Sequence, residues 1–400
     1  MPSLEVPAPP AFKAQLTTVG VTGTNGKTTT TAWAARALGA LHRPVARSTT
    51  VGLYLDEREL ELPKSYDGFI AAMRACVDGG GRHVAVELTS EALLRGFAKA
   101  WPPEIGVFTN LSHDHLDAHG SPEHYLASKA QLFMALPRGG TAILNARDET
   151  APLLADVIPA GVRVWTYGVP SRGEAALAVD LDATEVTTSW TGTTMRLAQS
   201  NVIPFGPSAL WVPAIGQIFA ENALAAYLAA VAAGVSPFAA AGALVEAVAP
   251  PGRFEVVARQ PYGVVDFAHT PDAIERTLRT ARALCRGRLV IVFGAGGKRD
   301  VHKRAAMGRA ASVCDAVVLT SDNPRDEDPA AIAEAIRAGI EPGPEVTLEL
   351  DRRRAISDTY RGLGPEDVLV VAGRGHETHQ QIGEERVPLS DVEVLREAAR

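Results

Sequence analysis

The sequence has few cysteines and no long apolar run. Its 400 residues include three cysteines that share no C-x-x-C or other metal-ligand spacing, namely Cys76, Cys285 and Cys314. This pattern indicates buried or incidental thiols in a reducing compartment. No apolar run is long enough to span a bilayer, and the N-terminus lacks a basic region followed by an apolar segment. We therefore expect a soluble, cytoplasmic protein without a membrane partner.

An excess of basic residues is also absent. Lysine and arginine number 39 against 46 for aspartate and glutamate, which gives a formal net charge of -7. This charge balance offers no global argument for binding nucleic acid. A hydrophobic content of 46% over 400 residues is enough for a large core, and the length favours two or three domains.

The segment TGTNGKTTT is nearly a phosphate-binding loop, but its first glycine is missing. In the pattern G-x-x-x-x-G-K-[ST] that glycine would replace Val21, whereas this loop has Gly23 and Gly26. An apolar, β-branched run precedes the loop and a helix-compatible segment follows it, so backbone N–H groups can face an anion. Lys27 would then lie on the β- and γ-phosphates, and Thr28 on a magnesium ion. The alternative is an ordinary glycine-rich turn between a strand and a helix.

Strand-like and helix-like segments alternate along the first part of the chain. Buried strands are predicted at RHVAVEL, EIGVFTN and TAILN, with helices such as PEHYLASKAQLFMAL between them, which favours a mainly parallel α/β sheet. Period-two segments between residues 174 and 205 indicate a hairpin at the edge of this sheet. Alanine-rich helices follow. Pro250, Pro251 and Gly252 then mark the expected boundary between a first domain, 1–250, and a second, 251–400.

The alternation restarts after this boundary. Four apolar strands, YGVVDFA, RLVIVFG, DAVVLT and DVLVVAG, are separated by helical segments, which predicts a second doubly wound domain. The segment FGAGGKRD has glycines at 294, 296 and 297, but the dinucleotide pattern G-x-G-x-x-G would need another glycine at Arg299. We therefore do not expect NAD as a cofactor.

Histidine and aspartate are concentrated in the segment NLSHDHLDAHGS, directly after a predicted strand. The segment contains His113, Asp114, His115, Asp117 and His119. One interpretation is a hydrolytic zinc site of the H-x-H-x-D-H kind, although Ala118 stands where the last histidine is needed. The alternatives are a solvated polar loop, or a single histidine that serves a magnesium ion beside the nucleotide.

Ten motifs, taken in order, resemble those of one enzyme family. They are GVTGTNGKTTT, AVELTSEAL, VFTNLSHDHLDAHGS, ASKAQLF, ENALAA, PGRFEVV, VDFAHTPDAIE, FGAGGKRDVHKRAAMG, SDNPRDEDP and AGRGHETHQ. Over nearly the whole chain this series is similar to the Mur ligases, and nearest to the MurE-type branch, which adds a diamino acid to UDP-N-acetylmuramoyl-alanyl-glutamate. The resemblance implies a central P-loop ATPase domain followed by a Rossmann-like C-terminal domain. It also accounts for the phosphate loop, since T-G-T-N-G-K-T is the form that this family uses.

The resemblance further implies an ATP-dependent, ADP-forming ligase that makes amide bonds in peptidoglycan precursor metabolism. A carboxylate does not condense with an amine at neutral pH without activation, so the γ-phosphate is first transferred to the carboxylate. The amine then attacks the acyl phosphate. Both steps gather negative charge and need cations. The expected cofactors are ATP and Mg²⁺, and the expected partners are small molecules, an amino acid and a carboxylate acceptor, with no nucleic acid.

Carried over to this chain, the nucleotide and metal site falls on the phosphate loop and on three later motifs. The loop residues are Gly23, Thr24, Asn25, Gly26, Lys27, Thr28 and Thr29. The implied metal ligands are Thr28, Glu87, His115 and Lys129, and the implied catalytic residues are Lys27, Glu87, His115 and Lys129. On its own, Lys129 would be a solvated helix lysine. The family carbamylates a lysine here, and a carbamate supplies an extra carboxylate for a second magnesium.

The resemblance also assigns the remainder of the ATP site. It implies Asn222 near the adenine, and Arg253 and Asp266 near the ribose and phosphates, so that both domains contribute and close on the substrate. The family usually has tyrosine where Phe267 stands, so one hydroxyl contact is expected to be missing. Without the resemblance, Asn222 is equally suited to a helix cap, and Asp266 to the end of a strand.

The amino-acid substrate is expected at two motifs of the second domain. The residues concerned are Asp322, Asn323, Pro324, Arg325, Gly373 and Glu377. In the diaminopimelate-adding ligases, the arginine and glutamate that match Arg325 and Glu377 hold the distal carboxylate and the distal ammonium. A bidentate guanidinium suits a carboxylate, and lysine as a substrate has no distal carboxylate. The resemblance therefore favours meso-diaminopimelate or a similar amino acid.

The acceptor segment departs from the family pattern. It consists of Thr89, Ser90 and Glu91, where Glu91 replaces a histidine, and Phe97 replaces an arginine nearby. The UDP-binding domain that opens MurE-type chains is also not found before the phosphate loop. Three hypotheses stay open: a shortened ligase for the UDP-linked precursor, for which a partner protein would supply the missing domain; a ligase repurposed for another peptide or small carboxylate; and a non-catalytic ATP-binding protein.

Overall fold

The computed structural model describes residues 8–112, 121–298 and 300–400. These residues form two compact units, 8–112 with 121–248, and 249–298 with 300–400. Helices alternate with mainly parallel strands in each unit, which confirms the predicted α/β class. The division between Val248 and Ala249 comes shortly before the Pro250–Gly252 turn.

The first unit is built on one sheet. Among its described residues eleven strands occur: β1 (Thr17–Thr22), β2 (Val45–Ser48), β3 (Leu53–Leu55), β4 (Arg58–Leu60), β5 (His83–Glu87), β6 (Ile105–Phe108), β7 (Thr141–Asn145), β8 (Arg163–Gly168), β9 (Leu181–Ser189), β10 (Gly192–Leu197) and β11 (Ala209–Val212). Their order is β11-β10-β9-β8-β7-β6-β1-β5-β2-β3-β4. The strands from β9 to β2 in this order run parallel, and antiparallel strands extend both edges. The β9–β10 hairpin confirms the predicted edge hairpin.

The central strands of this sheet position the candidate site. β1, β5, β6 and β7 are short apolar runs that are buried on both faces, as parallel strands between helical layers are. The register pairs Val21 with Glu87 on one side and with Val107 on the other. The carboxyl ends of β1, β5 and β6 therefore lie side by side, which is where open α/β sheets bind ligands.

Helices cover this sheet. The described helices are α1 (Lys27–Leu38), α2 (Tyr66–Asp78), α3 (Ser90–Leu94), α4 (Phe97–Ala100), α5 (Pro122–Met134), α6 (Ala151–Ala155), α7 (Gln217–Ala232) and α8 (Pro237–Leu244). α5 begins where the Ser121 hydroxyl accepts the His124 N–H at 3.2 Å and Pro122 fills the first turn. α7 is alanine-rich and buried along most of its length, and it packs on α1 through the rings of Trp33 and Phe219.

The second unit has a smaller sheet and a separate hairpin. Its described strands are β12 (Glu255–Arg259), β13 (Tyr262–Asp266), β14 (Leu289–Phe293), β15 (Ala316–Leu319), β16 (Glu345–Leu348), β17 (Val368–Ala372), β18 (His379–Ile382) and β19 (Glu385–Pro388). Its described helices are α9 (Pro271–Leu284), α10 (Lys303–Ala311), α11 (Pro329–Arg337), α12 (Arg352–Arg361) and α13 (Asp391–Ala398). The sheet order is β12-β13-β17-β14-β15-β16, and β18 pairs with β19.

The four strands predicted for this unit are its central parallel strands, β13, β17, β14 and β15. The sequence analysis did not predict β12, β16 or the β18–β19 hairpin. β16, β18 and β19 have four residues each and are largely polar or exposed, and β12 is only partly buried and begins just after the predicted domain boundary. A fully buried ion pair between Arg352 and Asp391 joins α12 to the start of α13. Such a pair is tolerated in a core only when its donors and acceptors are well satisfied.

The structure places the three cysteines and gives the lengths of the described helices. Cys76, Cys285 and Cys314 are all free thiols, and Cys76 and Cys314 are buried. No helix within the described ranges is long and apolar enough to cross a membrane.

Candidate active site

The phosphate loop connects β1 to α1, and its two glycines are required by close contacts. Gly23 has φ +148°, and a Cβ there would stand 1.9 Å from the Thr109 hydroxyl oxygen. Gly26 has φ +84°, and its Cβ would stand 2.2 Å from Oδ1 of Asn222. Val21 lies within β1 and is fully buried. The glycine missing from the usual pattern therefore falls in the strand, and the tight part of this loop starts at Gly23.

Residues after β6 support the loop from outside the motif. Asn110 Oδ1 accepts the Asn25 N–H at 2.9 Å, and the Asn110 carbonyl accepts the Thr24 N–H at 2.7 Å. The Asn25 carbonyl accepts hydrogen bonds from the Thr109 hydroxyl at 2.7 Å and from Asn110 Nδ2 at 3.0 Å. These contacts fix the backbone of the loop on the residues after β6, so the remaining N–H groups of the loop and of the first turn of α1 can face an anion.

Lys27 and Thr28 stand at the start of α1. The Lys27 ammonium donates to the Thr24 carbonyl at 2.8 Å, so the side chain folds back over the loop. The Thr28 hydroxyl donates to Glu87 Oε2 at 3.0 Å, at the end of β5. The following residue, Thr29, is buried inside the first turn of α1. A hydroxyl beside a carboxylate is the oxygen pair that magnesium prefers next to a phosphate loop.

Thr50 is a contact of Glu87 that the sequence did not indicate. The same Glu87 oxygen, Oε2, accepts the Thr50 N–H at 3.0 Å and the Thr50 hydroxyl at 3.2 Å. Glu87 is 9% exposed, so these donors orient a nearly buried carboxylate. Thr50 follows β2, the neighbour of β5 in the sheet, and only the strand order brings it here.

Lys129 is buried, contrary to what the residue type alone predicts. Its side chain is 1% exposed on α5, and its ammonium donates to the Gly23 carbonyl at 2.8 Å. The ammonium also lies 4.0 Å from the centre of the Tyr125 ring. The solvated interpretation of Lys129 is therefore wrong, because the side chain runs underneath the phosphate loop. Its carbamylation stays a prediction.

The histidine-rich segment falls outside the described residues. His113, Asp114, His115, Asp117 and His119 all belong to it, so the predicted role of His115 and the zinc alternative stay predictions. Within residues 8–112, 121–298 and 300–400, no group of three or more His, Cys, Asp or Glu side chains is arranged to hold a metal. The segment leaves β6 through Leu111 and Ser112, which are fixed by contacts with Asp148 and Thr24.

Asn222 lies on α7 with its amide oxygen against Gly26, and it is 2% exposed.

Arg253 and Asp266 belong to the second unit. There, Asp266 accepts the N–H groups of Phe254 at 2.6 Å and Ala268 at 2.8 Å. Burial raises the pKa of the Asp266 carboxyl, and the nearby Arg253 charge and these hydrogen bonds oppose that rise. Asp266 thus fixes the backbone beside Arg253, whose guanidinium covers the Phe267 ring at 4.5 Å.

The six residues predicted for the amino acid lie after β15 and β17, two strands of the same sheet. Asn323 Nδ2 donates to Glu377 Oε2 at 2.8 Å, and Asn323 Oδ1 accepts the Gln381 N–H at 2.8 Å. Arg325 has φ +53°, and its Nη1 donates to the Gly297 carbonyl at 2.7 Å. The arginine, the amide and the carboxylate are therefore brought together by contacts within this unit.

Asp322 and Gly373 form the base of this group. Burial raises the pKa of the Asp322 carboxyl, and the charge of Arg352 opposes the rise. A Cβ on Gly373, which has φ +111°, would stand 2.5 Å from Asp322 Oδ2. Pro324 approaches the glycine-rich loop equally closely, since its carbonyl oxygen would lie 1.9 Å from a Cβ on Gly297.

An ion pair that was not predicted from the sequence holds the loop after β15, which carries four of these six residues. Both terminal nitrogens of Arg304, at the start of α10, donate to the carboxylate of Glu327, one of them at 2.8 Å. The Lys298 N–H also donates to Glu327 at 3.0 Å. The hydrogen bond from Arg304 is the largest of the causes that lower the pKa of Glu327 to about 2.

The residues predicted for the acceptor lie shortly after Glu87, at the start of α3. The Thr89 hydroxyl caps this helix by accepting the Ala92 N–H at 3.2 Å, and Ser90 is buried. Glu91 is exposed and forms an ion pair with Arg95 one turn later. Phe97 packs edge-to-face on Phe69, with ring centres 5.2 Å apart. The position predicted to lack a cation is therefore part of an aromatic cluster.

The loop, its lysine and the adjacent carboxylate define a P-loop nucleotide-binding protein with a second doubly wound unit. A model of the Mur ligase middle domain matches residues 21–230, and one of the Mur ligase glutamate ligase domain matches residues 252–375. The UDP-N-acetylmuramoyl-L-alanyl-D-glutamate–2,6-diaminopimelate ligase of Thermosynechococcus vestitus is 39% identical over 395 residues, which cover 96% of this chain and 77% of that protein. The chain belongs to the Mur ligase family, as its motifs predicted.

Solved structures agree with this assignment. A structure of a UDP-N-acetylmuramoyl-L-alanyl-D-glutamate–2,6-diaminopimelate ligase has a TM-score of 0.67 and 33% identity, with 96% of this chain and 78% of that chain covered. The Mycobacterium tuberculosis folylpolyglutamate synthase, solved with ADP and AMPPCP, has a TM-score of 0.70 over 90% of this chain and 89% of that chain. At 20% identity, the second likeness concerns the fold alone.

Proposed function

We propose that this chain is an ATP-dependent, ADP-forming ligase that adds meso-diaminopimelate or a similar amino acid to a carboxylate acceptor in cytoplasmic peptidoglycan precursor metabolism. The observation that carries the proposal is the 3.0 Å contact between the Thr28 hydroxyl and Glu87 beside the phosphate loop. This contact supplies oxygen ligands at the point where the terminal phosphate of ATP would lie. The MurE-type relative, at 39% identity, supports the same reaction.

In this mechanism the loop N–H groups and Lys27 bind the phosphates of ATP. The Lys27 ammonium, which donates to the Thr24 carbonyl, would turn to the β- and γ-phosphate oxygens and stabilise the charge that develops during transfer. Magnesium, when bound, neutralises phosphate charge, and its proposed ligands are Thr28, Glu87, His115 and a carbamylated Lys129. The γ-phosphoryl group goes to the acceptor carboxylate, ADP leaves, and the amine displaces phosphate from the acyl phosphate.

The second unit would bind the amino acid as a zwitterion with an extra charged end. The Arg325 guanidinium donates through Nη1 to Gly297, and its remaining N–H donors suit the distal carboxylate. Glu377, held by Asn323 at 2.8 Å, suits the distal ammonium. An amino acid that carries both groups satisfies the two sites, whereas lysine satisfies only Glu377.

The test is phosphate release by the purified chain with MgATP, candidate acceptors and amino acids, together with the mass of the product. Release that depends on both the acceptor and diaminopimelate, with a product mass equal to their sum minus water, is expected. Absence of amino-acid-dependent release with every acceptor would favour a non-catalytic ATP-binding protein. Stoichiometric zinc in the purified protein, without a magnesium requirement, would favour the hydrolytic alternative.

A second candidate function differs in the acceptor. The exposed Glu91 carboxylate and the packed Phe97 ring lie in the segment where the resemblance implies cationic side chains. An acidic residue and a packed ring in place of cations are less suited to a polyanionic nucleotide sugar than to another peptide or small carboxylate, which carries fewer negative charges. Comparison of kcat/KM for UDP-linked and UDP-free muramoyl dipeptides would distinguish the two candidates. If a partner protein supplies UDP recognition, adding that partner would raise activity on the UDP-linked acceptor alone.

A further inference from the structure

Arg172 lies in a buried charged cluster behind the phosphate loop, in a short turn after β8. Its Nη1 donates to Glu221 at 3.1 Å and its Nη2 donates to Asp148 at 3.1 Å. The Arg172 side chain is 10% exposed, and both carboxylates are 2% exposed. One guanidinium is therefore shared by two buried carboxylates from different elements, a geometry that its planar fork permits.

Asp148 is connected to the phosphate loop by hydrogen bonds through residues 109–112, the segment after β6. Asp148 Oδ2 accepts the Leu111 N–H at 2.8 Å, and Oδ1 accepts the Thr150 N–H at 3.0 Å. The next N–H along this segment, that of Ser112, donates to the Thr24 hydroxyl oxygen at 3.0 Å. Asp148 therefore fixes the backbone that supports Thr24 from behind.

Glu221 is connected to the same loop by hydrogen bonds through Asn145 and Thr109. Glu221 Oε2 accepts Asn145 Nδ2 at 3.3 Å, and Asn145 Nδ2 also donates to the Thr109 carbonyl at 2.8 Å. The Thr109 hydroxyl donates to the Asn25 carbonyl. Glu221 also precedes Asn222 on α7, the residue packed on Gly26, so both the loop and α7 depend on its position.

The cluster lies in a poorly hydrated region, which makes the shared guanidinium important. Burial raises the pKa of Tyr167 well above its usual range, and the charge of Glu221 adds to the rise. The Tyr167 hydroxyl remains a donor, to the Phe108 carbonyl at 3.1 Å. When one partner of a buried ion pair is removed, the remaining charge must find water or a proton, and the elements that carry it shift.

We propose that Arg172 is a positioning residue for the nucleotide site, which acts by holding Asp148 and Glu221 so that the segment after β6 and helix α7 support the phosphate loop. This inference rests on the proposed function only in taking the loop to bind ATP. It predicts that loss of Arg172 weakens nucleotide binding without a direct contact between Arg172 and the nucleotide. The binding of the amino acid, in the second unit, should be unaffected.

The test compares R172M with R147M in the full chain. Arg147 is a stringent control, since it is 14% exposed, pairs with the Asp182 carboxylate at 2.9 Å and donates to the carbonyl of Gly173 in the same turn as Arg172. Its guanidinium contacts neither Asp148 nor Glu221. The dissociation constants of fluorescently labelled ADP and ATP are measured with magnesium. R172M should raise both constants about tenfold or more and raise the KM for ATP, while the KM for the amino acid stays within twofold. R147M should leave the nucleotide constants within twofold, even if it lowers Tm as much.

Two further variants separate positioning from a general loss of stability. R172K keeps the charge but cannot donate to both carboxylates at once. Its nucleotide dissociation constants should therefore lie between those of the parent and of R172M. R172M/E221Q removes one of the two carboxylates that lose their guanidinium, so it should bind nucleotide more tightly than R172M does. Equal nucleotide constants for R172M, R147M and the parent would overturn the proposal, as would a double variant no better than R172M.

The outcome for Arg172 is distinguishable from the outcome for the reaction itself. A parent chain that binds MgATP but forms no product would overturn the proposed ligase, and the comparison of R172M with R147M would still decide the role of Arg172. A parent that binds neither ADP nor ATP would overturn both. If R172M does not fold, the ratio of the nucleotide dissociation constants of R172K and R147K decides the proposal. Both variants keep the charge, and only R172K loses a guanidinium shared by two carboxylates.

Discussion

The two units hold their candidate residues by different means: the first contains the phosphate loop, and the second contains the residues predicted for the amino acid. In the first, the direct contacts of the loop and Glu87 are mostly with uncharged groups such as Thr50, Thr109 and Asn110, and the buried ionised groups lie behind or beneath the loop. In the second, the loop after β15 is held by the Arg304–Glu327 ion pair, and the residues predicted for the amino acid include opposite charges, Arg325 and Glu377.

This difference follows from the charges of the expected ligands. ATP brings several negative charges and its own magnesium, so its cradle needs fixed dipoles and one mobile cation. A diamino acid is a zwitterion, which requires preset charges of both signs at fixed separation. The two units should therefore fail differently: the first when its cation or backbone support is lost, and the second when an ionised group is removed or neutralised.

The largest effect is expected in the first unit. Lys27→Ala removes the ammonium that meets the phosphates, so turnover should fall on the order of a hundredfold or more with every amino acid offered. Lys99→Ala, at an exposed position on α4, is the control and should retain parental turnover. Steady-state phosphate release is the measurement. A Lys27→Ala enzyme with parental turnover would show that the loop is only a glycine-rich turn.

A selective effect is expected in the second unit. Arg325→Ala removes the proposed bidentate partner of the distal carboxylate, while ATP binding should stay intact. The fall in kcat/KM for diaminopimelate should correspond to a loss of roughly 2–4 kcal/mol of transition-state stabilisation. Lysine, which lacks that carboxylate, should be affected much less. Arg386→Ala on β19, an exposed arginine of the hairpin that neighbours Arg325, is the control. Unchanged use of diaminopimelate by Arg325→Ala would reduce Arg325 to a turn residue.

A smaller, pH-dependent effect is expected from Glu327→Gln. Its native pKa of about 2 lies below the usual 4.5, so the ion pair stabilises the fold above about pH 4.5 and loses this contribution as the pH falls toward 2. The variant should be less stable than the parent by about 1–2 kcal/mol at pH 7, and the difference should shrink below pH 4.5. Urea unfolding at several pH values measures it.

The control for that experiment is Glu334→Gln. Glu334 forms an exposed i,i+3 pair with Arg337 on α11, and such surface pairs contribute little. Its effect should therefore be near zero at every pH. A Glu327→Gln deficit that stays constant from pH 7 to pH 3 would contradict an ionic origin.

The sequence predicts this fold well where the information is local. The phosphate loop was recognisable because Gly23, Gly26, Lys27 and Thr28 lie within one turn, and the central strands because their apolar runs are continuous. The peripheral strands, such as β16, carry no such pattern. β16 forms because its backbone hydrogen-bonds to the neighbouring strand β15, and its own side chains are largely exposed.

The supporting contacts were not predictable from one sequence. Thr50 reaches Glu87 because β2 neighbours β5, and Arg172 reaches Asp148 and Glu221 across three elements. Lys129 shows the same limit, since the residue type predicts solvation and only its place under Gly23 explains its burial. Partners distant in sequence are set by topology, which local periodicity does not contain.

The smallest effect is expected in the first unit, at Thr50. Its hydroxyl is one of three donors to Glu87 Oε2. Thr50→Val removes the hydroxyl but keeps the N–H and the side-chain shape, so the orientation of Glu87 should weaken by about 0.5–1.5 kcal/mol. Thr49→Val is the control, because the Thr49 hydroxyl bonds to the Gly52 carbonyl and not to Glu87. The magnesium concentration that gives half-maximal turnover should rise severalfold for Thr50→Val, with the KM for the amino acid unchanged. Equal magnesium dependence for the two variants would mean that Thr28 and the Thr50 N–H alone are sufficient to orient the carboxylate.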